Sequence, residues 1–250
     1  MVKEYQYIIK NDVWEIVPRP KYKSVVSSKL IFKTKHLAYG SIQNYKARFV
    51  ACGFSQKEGI DYEDTFAPIS RYTSIRTILS LESNMKWKLH YIDLKTIFIN
   101  VLIEKEVYIK QPQGFETNDQ ETHVCKLKKA LYGLKQAPRA WHGRINGFLM
   151  SLGFTKSKAD SNLYYKVEDD GLMMLLLYVD DLFLTREYKP INNCKKKISK
   201  EFEMKYLGMM HYFLGLEVWK YPNEIFLNQG KYIVEILKRL EMLGCKDMTT

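Results

Sequence analysis

Long apolar runs are missing from this sequence. The longest, Leu172 to Val179, covers about eight residues, where a helix that crosses a bilayer needs about 20. The opening stretch, MVKEYQYIIK, mixes charge with aromatics and has neither the apolar run nor the cleavage site of a secretory signal. The expectation is therefore a protein that is neither secreted nor in a membrane. Cysteine is also scarce. Cys52, Cys125, Cys194 and Cys245 are scattered, with no CxxC pair and no histidine at zinc-ligand spacing. Reduced thiols in the cytosol or nucleus are the plain reading. The 5 histidines form no HExxH, which argues against a zinc hydrolase. There is no GxxxxGK[ST] loop, GxGxxG turn, internal repeat or Gly/Ser-rich linker, so the usual nucleotide-binding fingerprints are gone too.

What is present is size, apolar content and positive charge. The 250 residues carry 39 Lys+Arg against 28 Asp+Glu, a formal net charge of +11, with 46% apolar and 14% aromatic residues. Such a chain buries roughly three-quarters of its unfolded surface without a disulfide or metal staple, as one large domain or two lobes. The charge excess predicts an anionic partner, and leaves open nucleic acid, an acidic membrane surface or nothing specific.

Hydrophobic periodicity predicts alternating short strands and helices. Strand-like Leu30-Ile31-Phe32 leads to a turn at Tyr39-Gly40-Ser41 and a strand at Tyr45 to Ala51, together a hairpin with a basic face. Helices are expected over 73 to 86, from Pro138 to a Gly153 cap, over 190 to 203, and over 231 to 243. Ile191, Cys194, Ile198 and Phe202 point inward from the third, while Lys195, Lys196 and Lys197 face solvent. Short strands are expected at Leu89 to Leu94, Val107 to Ile109 and Val124 to Leu127, and hairpins turn at Asp169-Asp170-Gly171 and Pro222-Asn223. Several hairpins without βαβ regularity make an α+β protein rather than a doubly wound sheet.

One segment breaks the hydrophobic logic. In Leu175-Leu176-Leu177-Tyr178-Val179-Asp180-Asp181-Leu182-Phe183-Leu184, two adjacent carboxylates interrupt a strand that is otherwise buried. Neighbouring strand residues face opposite sides, so a straight strand would bury a charge. A tight hairpin with both aspartates at its tip resolves the conflict, although Asp-Asp is a poor primed turn. Asp93 ends Tyr91-Ile92 in the same way. Carboxylates converging at strand ends without His or Cys make a hard oxygen site suited to Mg²⁺, with Mn²⁺ as a substitute. Two such ions roughly 3.5–4 Å apart clamp the attacking and leaving oxygens of a phosphoryl transfer. In a basic chain this reads as a nucleic-acid polymerase or a nuclease.

Tyr178-Val179-Asp180-Asp181 between apolar flanks resembles the active-site hairpin of reverse transcriptases. The wider match is to the copia-type retrotransposon polymerase. It runs through Tyr45 to Ala51, Gly53-Phe54-Ser55-Gln56, Gly59-Ile60-Asp61-Tyr62 and Thr65-Phe66-Ala67-Pro68. It continues through Gln111 to Phe115, Leu127 to Trp141 and His211 to Val218, in family order, from about Trp14 to Cys245. The resemblance implies a right hand of fingers and palm, the palm an antiparallel sheet backed by helices. Fingers would take about 14–88 and 107–140, palm about 89–106 and 141–210, and primer grip with the start of the connection about 211–250. Protease, integrase and a complete RNase H would be absent. Asp93, Asp180 and Asp181 would be catalytic and hold two Mg²⁺, with the Leu94 carbonyl as an extra ligand. Lys46 and Arg48 would hold the triphosphate, Phe98 would block a ribose 2′-hydroxyl, Gln136 would lie against the sugar, and Tyr178 would line the nucleotide site. Within Tyr206 to Tyr212, the residues Leu207, Gly208, His211 and Tyr212 would grip the primer end.

The implied partners are an RNA or DNA template with primer and deoxynucleoside triphosphates, in a cytoplasmic virus-like particle or the nucleus. Four positions depart from the family pattern: Ile97, Cys52, Leu30 and Val101. Ile97 replaces a small residue beside the nucleotide and is expected to crowd the sugar. A relic that keeps the fold and binds nucleic acid through Lys126 to Lys129 and Lys135 to Arg139 is the alternative.

Overall fold

The computed structural model describes residues 1–36, 42–69, 71–117, 121–168, 171–186, 191–221 and 224–245. In chain order the elements are α1 (Val2–Lys10), β1 (Trp14–Pro18), β2 (Val25–Val26), β3 (Ser28–His36), β4 (Ile42–Ala51), α2 (Tyr72–Met85) and β5 (Lys88–Leu94). There follow β6 (Tyr108–Ile109), β7 (His123–Leu127), α3 (Ala137–Ser151), β8 (Thr155–Lys156), β9 (Leu163–Glu168), β10 (Gly171–Tyr178) and β11 (Asp181–Arg186). The last are α4 (Asn192–Glu201), β12 (Met204–Met209), β13 (Tyr212–Phe213), β14 (Leu216–Tyr221), β15 (Glu224–Asn228) and α5 (Gly230–Arg239). This is the α+β pattern the sequence predicts. The turns expected at 39–41, 169–170 and 222–223 lie outside the described residues.

The chain divides into two compact units, one of Met1–Pro68 with Thr96–Leu152, the other of Ile69–Lys95 with Gly153–Thr250. These breaks fall elsewhere than the lobe boundaries expected near 88, 106 and 140. Helix α2 shows why. Its apolar stripe, Ile75, Ile78 and Leu79, is buried in one cluster with Trp87, Leu89, Phe183, Phe213 and Val218 of the second unit. Burial of apolar area decides where a helix belongs, at roughly 25 cal/mol per Å².

In the first unit a four-stranded sheet runs β1-β7-β6-β2. Strands β3 and β4 form a sheet of two, with Lys33 opposite Lys46 and Ile31 opposite Arg48. Directly paired residues share a face, so Lys29, Lys33, Lys46 and Arg48 lie on the same side. This is the basic-faced hairpin read from the alternation, with a first strand that extends well beyond Leu30-Ile31-Phe32. Helix α3 has Pro138 in its first turn and buries Trp141, Ile145 and Leu149. It is followed by Gly153 at φ +87°, a left-handed cap that glycine adopts without a Cβ clash.

The second unit is built on a six-stranded antiparallel sheet in the order β12-β5-β11-β10-β9-β8. Its central strands are near-continuous apolar runs because both faces are covered. Leu175, Leu176, Leu177, Leu182, Phe183 and Leu184 are all buried. Helix α4 turns Ile191, Cys194, Ile198 and Phe202 inward as its periodicity predicts. Strands β13, β14 and β15 make a small antiparallel sheet whose Phe213 and Val218 join the α2 cluster. Helix α5 ends at Arg239, short of the expected 243.

Candidate active site

The expected pair of aspartates at a hairpin tip is corrected by the register. Tyr178 pairs with Asp181, so the turn between β10 and β11 is Val179-Asp180 and Asp181 is already a strand residue. Val179 takes φ +55°, a conformation rare for a β-branched side chain, whereas Asp180 keeps an ordinary φ. Such a residue stores roughly 1–3 kcal/mol that the surrounding sheet must hold in place. The sheet does so from the other side: Asp181 lies directly opposite Asp93 on β5, and the Leu94 amide donates to the Asp180 carbonyl at 2.7 Å. The carboxylate hairpin is thereby locked to the strand that carries the third aspartate.

Cross-strand neighbours sit about 4.5–5.5 Å apart at Cβ, so Asp93 and Asp181 put two like charges together on the same face. Burial, and then the charges of Asp180 and Asp93, push the Asp181 carboxyl up to about 7, against a hydrogen bond from Tyr91 that acts in the opposite direction. The Tyr91 hydroxyl donates to Asp181 Oδ1 at 2.8 Å, and burial together with this carboxylate raises the phenol above its usual range. Tyr91 was not among the residues picked from the sequence. Its ring stacks on Phe183 at 4.9 Å, and both rings pack against Phe213. Tyr178 meets the same Phe213 edge-on at 5.4 Å.

Among the described residues no three carboxylate, thiol or imidazole groups stand close enough to form a ready-made metal cage. The three aspartates resolve into the Asp93–Asp181 pair and the neighbouring turn residue Asp180. The donor set is nevertheless all hard oxygen, which in donor type fits Mg²⁺.

The residues expected to grip the primer fall on two different sheets. Leu207 and Gly208 lie in β12, where a bulge between Tyr206 and Gly208 leaves Leu207 out of register, and Gly208 takes φ +85°. His211 is exposed and Tyr212 opens β13. On the opposite face from Asp93, the His90 Nδ1 lies within hydrogen-bond distance of the Tyr206 hydroxyl (2.7 Å) and the Lys195 ammonium (3.0 Å). Lys195 also stands 3.7 Å from the Tyr206 ring centre. It is thus half-buried and engaged, not the solvated lysine its helix face suggests, whereas Lys196 and Lys197 are exposed as expected.

The expected nucleotide residues Lys46, Arg48, Phe98 and Gln136 belong to the first unit. Lys46 is exposed on the basic face of β4. The Arg48 guanidinium stands 4.4 Å over the centre of the Tyr132 ring, and Phe98 meets that ring edge-on at 4.8 Å. Phe98 sits in a single 3₁₀ turn, Ile97–Asn100, entered through Thr96 at φ +50° and tied by a 2.7 Å bond between the Thr96 and Tyr7 hydroxyls. Gln136 is held elsewhere in the unit. Its amide donates to the Asp61 carbonyl, its oxygen accepts from Gln56, and it lines a cavity of about 420 Å³ with Arg139 and Arg144.

Of the four departures, Ile97, Cys52 and Val101 are buried. Ile97 is only 1% exposed, so its bulk is taken up by the core of the unit rather than left to crowd a sugar. Leu30 is half-buried.

Buried apolar strands ending in adjoining carboxylates, in a basic α+β chain, are the arrangement expected of a nucleic-acid polymerase or a nuclease. The chain belongs to the reverse transcriptase (RNA-dependent DNA polymerase) family, whose model matches residues 11–250. Its relatives include the Retrovirus-related Pol polyprotein from transposon RE1 of Arabidopsis thaliana, 37% identical over all of this chain and 17% of its own length. That from transposon TNT 1-94 of Nicotiana tabacum is 38% identical, over all of this chain and 19% of its own length. The resemblance to the copia-type polymerase is thereby borne out, and the chain spans less than a fifth of the length of these two relatives. A telomerase structure from Candida albicans aligns over 97% of this chain and 53% of its own, at 10% identity and a TM-score of 0.44. No helix among the described residues is long and apolar enough to cross a membrane.

Proposed function

We propose that the chain extends a primer 3′-hydroxyl along an RNA or DNA template with deoxynucleoside triphosphates, releasing pyrophosphate. The observation that carries this reading is the register that puts Asp181 opposite Asp93 with Asp180 in the adjoining turn. These three carboxylates would hold two Mg²⁺, whose chemistry there would be charge neutralisation at the phosphates and a lowered pKa for a bound hydroxyl. Lys46 and Arg48 hold the triphosphate; Arg suits paired phosphate oxygens and Lys adds a point charge. Phe98 fills the space a ribose 2′-hydroxyl would need. Gln136 and Tyr178 complete the nucleotide site, and Leu207, Gly208, His211 and Tyr212 hold the primer end. The +11 charge serves the template–primer phosphates. The compartments proposed are a cytoplasmic virus-like particle or the nucleus.

The test is primer extension on an RNA template with Mg²⁺, beside an Asp180→Asn, Asp181→Asn control. Incorporation by the parent chain that the control abolishes supports the reading. Incorporation that the double substitution leaves unchanged, or none by the folded parent, sinks it.

A further inference from the structure

The block Leu127 to Trp141 contains the segment Leu131-Tyr132-Gly133-Leu134. The fold places Tyr132 where two proposed nucleotide contacts meet. Arg48 covers one face of its ring at 4.4 Å, and Phe98 abuts its edge at 4.8 Å with the planes at 79°. The ring is half-buried, so it is neither core filler nor a loose surface aromatic.

The backbone around Tyr132 is built for this position. The Ala51 amide at the end of β4 donates to the Tyr132 carbonyl at 2.8 Å, and Ala130 donates to the Val101 carbonyl at 2.8 Å. One bond ties the segment to the strand of Arg48, the other to the turn that follows Phe98. Gly133 adopts φ +89°, and a Cβ there would run into the Ala51 carbonyl and Val50. A Cβ on Gly53 would likewise meet the Gly133 carbonyl. Two glycines therefore permit a backbone approach that no other residue allows, and the approach brings Tyr132 beneath Arg48.

We propose that Tyr132 is the positioning residue that sets Arg48 and Phe98 relative to each other, so that triphosphate binding and deoxy-sugar selection act as one register. This rests on the reading of Arg48 and Phe98 given above. The Arg48 and Phe98 contacts both use the aromatic ring, so the ring is the part of Tyr132 that carries this role.

The experiment measures KM and kcat for a deoxynucleotide and its ribonucleotide in primer extension, with thermal melting of every variant. Tyr132→Leu should raise the deoxynucleotide KM about five- to thirtyfold, the span of a lost cation–π contact, with kcat within about threefold. Its discrimination against the ribonucleotide should drop about fivefold or more, and Tyr132→Phe should restore both. Tyr132→Gln, similar in reach but without a ring, should behave like Tyr132→Leu and serves if the latter does not fold. Folded ringless variants with unchanged KM and sugar discrimination overturn the proposal, and so does a Tyr132→Phe that is as impaired as they are. Phe98→Ala separates the two levels. If it leaves discrimination intact, the reading of Phe98 fails; if it abolishes discrimination while the Tyr132 variants keep it, only the present proposal fails.

Discussion

Hairpin β10–β11 and hairpin β3–β4 follow the same plan in opposite surroundings. The first is internal to a sheet of six, with buried leucines and Phe183 on its strands. The second is a sheet of two, and it leaves Phe32 and Tyr45 at 64% and 77% exposure. The buried hairpin carries the acidic residues and the exposed one carries Lys29, Lys33, Lys46 and Arg48. Under the proposed function, the division follows from what each charge would have to do. Carboxylates that share a cation need fixed separations, which only packed neighbours enforce. Cations that meet phosphate act as long-reaching point charges or forks and tolerate a compliant support.

The hardest way to break this comparison is to neutralise the rigid hairpin. Asp180→Asn with Asp181→Asn should lower incorporation about a thousandfold or more, the scale of lost transition-state charge stabilisation. The fold should not suffer, because the change removes repulsion between Asp181 and Asp93 rather than packing. A melting temperature that falls with activity would make these aspartates structural.

Neutralising the compliant hairpin should act through salt. Lys29→Gln with Lys33→Gln, both on the basic face, should weaken template binding roughly tenfold at moderate salt. The slope of log affinity against log salt should become shallower by about 1.4–1.8, for two phosphate contacts. Binding titrations at four or five salt concentrations read this directly, and an unchanged slope removes the lysines from the template path.

The two hairpins also differ in how far their sequences reveal them. The basic face of β3–β4 is legible because alternation alone sets it. The carboxylate hairpin was legible as an interruption of a buried strand, but its tip was misplaced by one residue. The cost of burying a charge favoured both aspartates at the tip, even though Asp-Asp is a poor primed turn. The ladder to β5 overrides it, since sliding Asp181 into the turn would flip every leucine of β11 to the wrong face. Strand β12 was missed as a strand of the palm sheet because Met204-Lys205-Tyr206-Leu207-Gly208-Met209 lacks clean alternation, and its bulge explains why. Helix α1 went unread although Tyr5, Ile8 and Ile9 keep helical spacing, and Ile8 is its one buried residue. Tyr91 and Tyr132 act through contacts distant in sequence, which no local spacing encodes.

A smaller effect tests the sheet behind the carboxylates. His90 lies on β5 facing Lys195 of α4 and Tyr206 of β12, with the charges of Lys88 and Lys220 also acting on it. Burial, then these lysines, lower its pKa to about 4. The native ring stays neutral while the unfolded one takes a proton near 6.5, so the unfolded state binds more protons between pH 6.5 and 4. Stability should therefore fall as pH drops through that window, by about 1 kcal/mol after allowance for solvent screening of a half-buried ring. His90→Gln should flatten this part of the pH–stability curve. A curve unchanged by the substitution would mean that the ring titrates normally.

The finest distinction between the hairpins is the strain at Val179. Glycine at this position accepts the left-handed φ at no steric cost, so Val179→Gly should release part of the roughly 1–3 kcal/mol stored there. It also loosens the unfolded chain, which takes back about 0.5–1 kcal/mol. The valine side chain is 47% exposed, so little packing is lost. The net should be a gain of about 1 kcal/mol or less, seen as a rise of a few degrees at most in melting temperature. If the strain serves to hold Asp180 rigidly, the same variant should lose activity while gaining stability. A variant that gains both would show that the left-handed turn is tolerated for the register alone, and that β5 and the Leu94 amide are sufficient to place the aspartates.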